Sequence, residues 1–308
     1  MDDEKALSVS EYNGNELEQD NSHYTELPFG QSLSIRDTYD ITATEQSRFV
    51  MLMGAPGCGK TTIITSLYQL FLNKNEIINN RYFFAGSQTL SAFEERAYNT
   101  RITSNNDIPD TARTPQGADE NILHLRLLKT CDKTFVNLFL CDISGEDFEN
   151  ANANIDLAKE TFNIAKIINY FIVILDGEHL SSISEKNAEI QKGTSILQTF
   201  LNADLLHNDV LVIITISKYD LLQESDELLT DIEDDIKDAF SSRFGNVPIN
   251  LLYINSAAMP TKSSLFPVGY GLNKILDNIC DNVQKTKNKE INIDSKSQFD
   301  CYGKRCEG

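Results

Sequence analysis

Positive charge is scarce in this sequence: 27 lysines and arginines stand against 46 aspartates and glutamates, a formal net charge of -19. A surface that negative excludes a general affinity for nucleic acid or anionic lipid, and it favours protein or small-molecule partners. One phosphate pocket can still be locally positive and hold Mg²⁺. Long hydrophobic runs are missing too. The apolar stretches have strand length, short of a membrane span, so no membrane contact is expected. The opening MDDEKALSVS is acidic and lacks the basic-then-apolar layout of a secretory signal. Metal-type cysteine spacing is also absent among Cys58, Cys131, Cys141, Cys280, Cys301 and Cys306. CYGKRCEG holds one Cys-x4-Cys pair with no matching His or Cys pair nearby. It reads as two free thiols rather than half a zinc site, and its last cysteine lies too near the end for a prenylation box. Reduced thiols without a signal give a cytoplasmic expectation.

What is present is a regular alternation. Residues 1–45 are polar and rich in Asn, Ser, Glu and Asp with no hydrophobic period, and read as a disordered arm. Beyond them the strand RFVMLMG meets a glycine-rich turn and then KTTIITSLYQLFLN, where Ile63, Ile64, Leu67 and Phe71 share a helical face. NILHLRLL sets Leu123, Leu125 and Leu127 against His124 and Arg126, the pattern of a half-exposed edge strand, and FVNLFLCD is placed to form a hairpin with it. Then YFIVILDG, VLVIITIS and INLLYINS alternate with helical segments. Such an order means parallel crossovers and a sheet covered on both faces. The expectation is one α/β domain over about 46–287, with an insertion near 76–105 and a flexible tail over 288–308.

GAPGCGKT, from Gly54 to Thr61, fits G-x-x-x-x-G-K-[ST]. Glycines such as Gly54, Gly57 and Gly59 let the backbone turn with its N–H groups inward, a nest for phosphate oxygens. Lys60 bridges the outer phosphates, Thr61 can ligate Mg²⁺, and the helix that opens there through Thr62 adds its positive end. Cys58 inside the loop reads as a small residue that fits. Downstream, FLCDISGED follows a buried strand. Asp142 is placed to hold a Mg²⁺ shell through water, and Gly145 to bring its N–H to a γ-phosphate.

With these two motifs in order, the sequence resembles the P-loop GTPases, specifically the Ras-like, translation-factor-related (TRAFAC) class. FFAGSQTLSAFEER, TPQG and LCDISGEDFENA carry a closer resemblance to bacterial double-GTPase-type (type 2) domains. The resemblance implies a Ras-like, mostly parallel sheet with one antiparallel edge strand, GTP or GDP with Mg²⁺ as ligands, and bacterial origin. It also implies a protein partner, a second GTPase being one candidate. Many hydrolytic members carry Gln directly after the motif's glycine, where this chain has Glu146. Three readings stay open for Glu146: general base, a sign of slow hydrolysis until a partner supplies a residue, or a solvated switch residue.

The order continues with Ser217-Lys218-Tyr219-Asp220 at the end of VLVIITI, close to the family's [NT]-K-x-D with Ser in the first place. A carboxylate there accepts two hydrogen bonds from the N1–H and N2 amine of guanine, while adenine presents an acceptor. The Lys218 stem can lie over the base. Ser256-Ala257 matches the loop whose backbone N–H meets the guanine O6. For the threonine of the first switch, PDTARTPQG offers Thr111 and Thr114, of which Thr114 matches the resembled branch; Arg113 lies between them. Leu90, Phe93, Ala97 and Tyr98 are expected to form a packing face on the extra segment. Lys60, Thr114 and Glu146 are the candidate catalytic set, and Thr61, Thr114 and Asp142 the candidate metal set. The function expected is slow Mg²⁺-dependent GTP hydrolysis that switches a partner. The alternatives are a non-hydrolysing, nucleotide-dependent scaffold and an ATPase of the same superclass.

Overall fold

The structure is a computed structural model and describes residues 30–72, 81–98, 121–208, 210–222, 226–261 and 263–281. Strands β1 (Ser47–Met53), β2 (Tyr82–Gly86), β3 (Ile122–Lys129), β4 (Phe135–Cys141), β5 (Tyr170–Asp176), β6 (Leu211–Ser217) and β7 (Asn250–Tyr253) form one sheet, in the order β2-β3-β4-β1-β5-β6-β7. All neighbours run parallel except β3, which is antiparallel to both β2 and β4. The α-helices are α1 (Tyr39–Thr44), α2 (Lys60–Leu72), α3 (Leu90–Ala97), α4 (Gly145–Ala151), α5 (Ile155–Thr161), α6 (Gly177–Ser181), α7 (Lys186–Asn202), α8 (Asp226–Phe244) and α9 (Leu272–Asp281). This is the expected α/β architecture, a mostly parallel sheet with an antiparallel edge and helices on both faces.

Alternation along the central strands divides the core in two. Val50, Leu52, Ile172 and Ile174 face a cluster built from Ile63, Ile64 and Leu67 of α2, Phe93 of α3 and Ile275, Leu276 and Ile279 of α9. Met51, Met53, Phe171 and Val173 face the opposite cluster, with Phe148, Phe162, Phe200 and Phe240. Burial on both faces explains why β5 and β6 read as unbroken apolar runs. Among the described residues, no helix is long and apolar enough to cross a membrane.

Two expectations need correction. The polar arm was placed over residues 1–45, yet within it Leu33 is fully buried and exchanges two backbone hydrogen bonds with Ile122 (2.9 and 3.1 Å), and residues 36–44 are helical. Leu33, with Ile35 and Ile41 packing beside it on the core, shows no regular period, so composition alone could not reveal the docking. Residues 1–29 and 288–308 lie outside the described residues. Second, β3 is not outermost, because β2 pairs along its free side.

The polar face of β3 is covered as well. The Gln88 N–H donates to Nδ1 of buried His124 (3.1 Å), His124 Nε2 donates to Asn137 Oδ1 (2.9 Å), and Asn137 Nδ2 donates to Glu45 Oε2 (3.0 Å). Arg126 completes the chain with two hydrogen bonds to Glu45. Satisfied this way, a buried imidazole is tolerable only while neutral.

Burial holds His124 below the usual histidine range, with Arg126 pushing the same way and Asn137 and Glu45 opposing. A depressed folded-state value means that this part of the stability is complete above the unfolded value of about 6.5. It is lost as the pH falls through the folded value. Thermal melting between pH 7.5 and 5 should therefore show a steeper loss for wild type than for His124→Gln. Equal slopes would count against the network.

Candidate functional site

Four strand ends meet at one rim of the sheet. After β1 the chain turns through Gly54–Gly59 into α2, with Gly57 at φ 77° and Gly59 at φ 94°, left-handed conformations that favour glycine. Buried Lys60 folds back over the loop, its Nζ donating to Gly54 O (2.9 Å) and Ala55 O (3.0 Å) and standing 5.9 Å from the Phe148 ring centroid. Cys58 is buried beside it, and burial pushes its thiol up, so it acts as packing rather than as a nucleophile. Half-buried Thr62 follows Thr61 in the first turn of α2, where its carbonyl accepts from Thr65 Oγ1 (3.2 Å).

Asp142, one residue beyond β4, is 0 % exposed. Thr61 Oγ1 donates to its Oδ1 (3.2 Å), and Arg96 Nε donates to its Oδ2 (3.0 Å). Burial pushes this carboxyl up, while the Arg96 guanidinium, the Thr61 hydroxyl and the Lys60 charge pull it back. Gly145 opens α4 directly against the phosphate loop, and a Cβ there would stand 2.3 Å from Pro56 N. Only glycine permits that approach. Half-buried Glu146 lies in the first turn of α4, its N–H donating to Ser144 Oγ (3.3 Å).

At the other end, β6 delivers Ser217, whose Oγ donates to Leu175 O (3.2 Å). Lys218 sits at φ 47°, and its Nζ contacts Asp176 Oδ2 (2.8 Å) and Glu178 Oε2 (3.0 Å). These two anions hold the Lys218 charge despite partial burial. Asp220, in a 3-10 turn, is 9 % exposed and accepts from the Thr261 N–H (2.8 Å). The phosphate and base ends adjoin: a Cβ built on Gly59 would lie 3.7 Å from Ser217 Cβ, an ordinary contact.

Lys60, Thr61, Asp142 and Gly145 are thus brought together at the ends of β1 and β4, with Lys218 and Asp220 beyond β5 at the end of β6. Ser256 and Ala257 reach the same rim. The Ser256 N–H donates to Ile216 O (2.9 Å) and the Ala257 N–H to Tyr270 O (3.0 Å), so both are engaged within the protein. Thr111, Arg113 and Thr114 lie outside the described residues. On α3, Phe93 and Ala97 are buried, whereas Leu90 and Tyr98 are largely exposed, so half of the expected packing face packs.

Sequence reasoning passed over Arg96, Asp176, Gly177 and Glu178. The Asp-Gly that ends YFIVILDG was the available signal for the last three. A Cβ on Gly177 would stand 2.4 Å from Ser217 O, so its absence lets β5 and the Lys218 turn close on each other.

The donor chemistry fits a hard divalent cation. Thr61 and Asp142 offer adjacent hydroxyl and carboxylate oxygens, the kind Mg²⁺ takes together with substrate phosphates. Among the described residues, no cluster of three or more His, Cys, Asp or Glu forms a cage that would hold a metal by itself.

Comparison with curated proteins gave no match. A family model described as Double-GTPase 2 matches residues 48–280, a span that runs from β1 to α9 and takes in both ends of the site. With a guanine nucleotide as that family's ligand, a phosphate loop, a buried strand-end aspartate and a Lys-x-Asp turn at one rim of the sheet fall into place, and the chain belongs to the Double-GTPase 2 family.

Proposed function

We propose that this domain binds GTP with Mg²⁺ and hydrolyses it slowly, using the γ-phosphate to order loops that a protein partner reads. The closeness of Gly59 in the phosphate loop to Ser217 is the observation that carries the reading, since it sets that loop beside the turn that bears Lys218 and Asp220. In this assignment Lys60 exchanges the Gly54 and Ala55 carbonyls for phosphate oxygens. Backbone N–H groups from Gly57 to Thr62 line the phosphates, and the Gly145 N–H meets the γ-phosphate. Thr61 and Asp142, joined by Thr114, would hold Mg²⁺, which supplies charge neutralisation on the phosphates when bound. Asp220 accepts from guanine N1–H and N2. The Lys218 stem, tied at its tip by Asp176 and Glu178, covers the base.

Glu146 sets the rate in this reading. Its place in the first turn of α4 favours an anion there, which can accept a proton from water but repels an anionic transition state. The same feature favours the second reading, a non-hydrolysing scaffold. A cytoplasmic setting and a protein partner, a second GTPase among the candidates, belong to the proposal. Switching then follows the order-disorder logic of γ-phosphate contacts.

Two outcomes are expected. Asp220→Asn should weaken GDP binding by roughly 100-fold or more, because the amide cannot accept both guanine donors. It should gain affinity for xanthosine diphosphate, whose C2 oxygen accepts the new N–H. Unchanged GDP affinity, measured by fluorescent-nucleotide displacement, would overturn the base assignment. In single-turnover assays with labelled GTP, phosphate release should be slow but measurable and should fall further in Glu146→Ala. No release from wild type, with or without added cell extract, would leave the scaffold.

A further inference from the structure

The guanidinium that pairs with Asp142 in this structure comes from outside the two phosphate motifs. Arg96, on α3, is 7 % exposed and spends its three donor nitrogens on Asp142 Oδ2 (3.0 Å), Ala92 O (3.2 Å) and Ser32 Oγ (3.1 Å). Asp142 is the carboxylate that shares Thr61 with the proposed metal site. A guanidinium and a divalent cation that approach one buried carboxylate repel each other strongly, because little solvent lies between them to screen the charges. They are competing counter-ions for the same group.

The placement of α3 makes this competition local. Tyr68 of α2 stacks on Phe93 (4.7 Å between centroids) and donates to Glu94 Oε1 (2.7 Å), which fixes the helix backbone beside the phosphate-loop helix. The Gly30 carbonyl accepts the Ala92 N–H (2.8 Å), so residues 30–33 are tied to the same helix. Withdrawal of Arg96 therefore requires only a side-chain movement, and it removes the link to Ser32.

We propose that Arg96 is a built-in counter-cation that neutralises Asp142 while the site lacks Mg²⁺ and must leave Oδ2 when Mg²⁺ arrives with nucleotide. Arg96 thereby sets the Mg²⁺ concentration at which the site closes and passes occupancy to α3 and Ser32. The inference rests on the Mg²⁺-dependent nucleotide site proposed above.

The test is a Mg²⁺ titration of fluorescent-GDP binding, starting in EDTA, on wild type, Arg96→Met and Arg96→Lys. Arg96→Met should lower the half-saturating Mg²⁺ several-fold and melt earlier than wild type in EDTA, with the difference shrinking in Mg²⁺ and GDP. Arg96→Lys, which keeps the charge but cannot reach all three acceptors, should fall between, and it decides the matter if Arg96→Met does not fold. GDP binding with an unchanged or raised Mg²⁺ requirement in the variants overturns the competition alone. Absence of GDP binding by wild type, with and without Mg²⁺, overturns the nucleotide reading and this inference together.

Discussion

The rim of this sheet is organised around one ion that cannot be left alone, the carboxylate of Asp142, which has no solvent exposure. A buried charge requires a partner, and removal of one member of such a pair costs about 3–5 kcal/mol. Here Thr61 ties it to the first turn of α2, and Arg96 ties it to α3 and, through Ser32, to the segment ahead of β1. Three parts of the chain far apart in sequence are held by their claim on one carboxylate. Any ligand that brings positive charge to Asp142 must change that arrangement, so the group that stabilises the fold is also the group best placed to sense occupancy.

Close backbone approach does the remaining positioning. Gly145 lies so near Pro56 that any side chain would collide with the backbone, and Gly177 lies equally near Ser217. The first contact puts the start of α4 against the phosphate loop, and the second presses the end of β5 against the Lys218 turn. Asp176 and Glu178 then become anchors for the Lys218 ammonium. Loops held by backbone contact and ion pairs can be rigid while their side chains exchange partners, as the proposed function requires of Lys60, now on the Gly54 and Ala55 carbonyls.

Much of this was legible in the sequence for a physical reason. Phosphate cradling and base reading each depend on a few neighbouring residues whose types are dictated by the task, and their order along alternating strands and helices fixes which rim they share. The sheet was legible because strands buried on both faces are predominantly apolar. Other features depend on partners far along the chain. Arg96 finds Asp142 across 46 positions and Lys218 finds Asp176 across 42, and neither spacing leaves a local trace. His124 read as solvent-facing because alternation records polarity, not whether a Glu45–Asn137 chain will satisfy it. Leu33, Ile35 and Ile41, which pack on the core, are too few and too unevenly spaced to give a period to read. The engaged N–H groups of Ser256 and Ala257 were equally invisible, since their acceptors, the Ile216 and Tyr270 carbonyls, lie elsewhere along the chain.

The central claim is that one ligand spans this rim, with its phosphates at Lys60 and a guanine at Asp220. Equilibrium competition of GDP and ADP against a fluorescent guanine nucleotide on the wild-type protein in Mg²⁺ tests it most directly. The account predicts displacement by GDP at concentrations at least about 100-fold below those needed for ADP, the penalty for facing a buried carboxylate with an acceptor. Equal displacement by the two would contradict it.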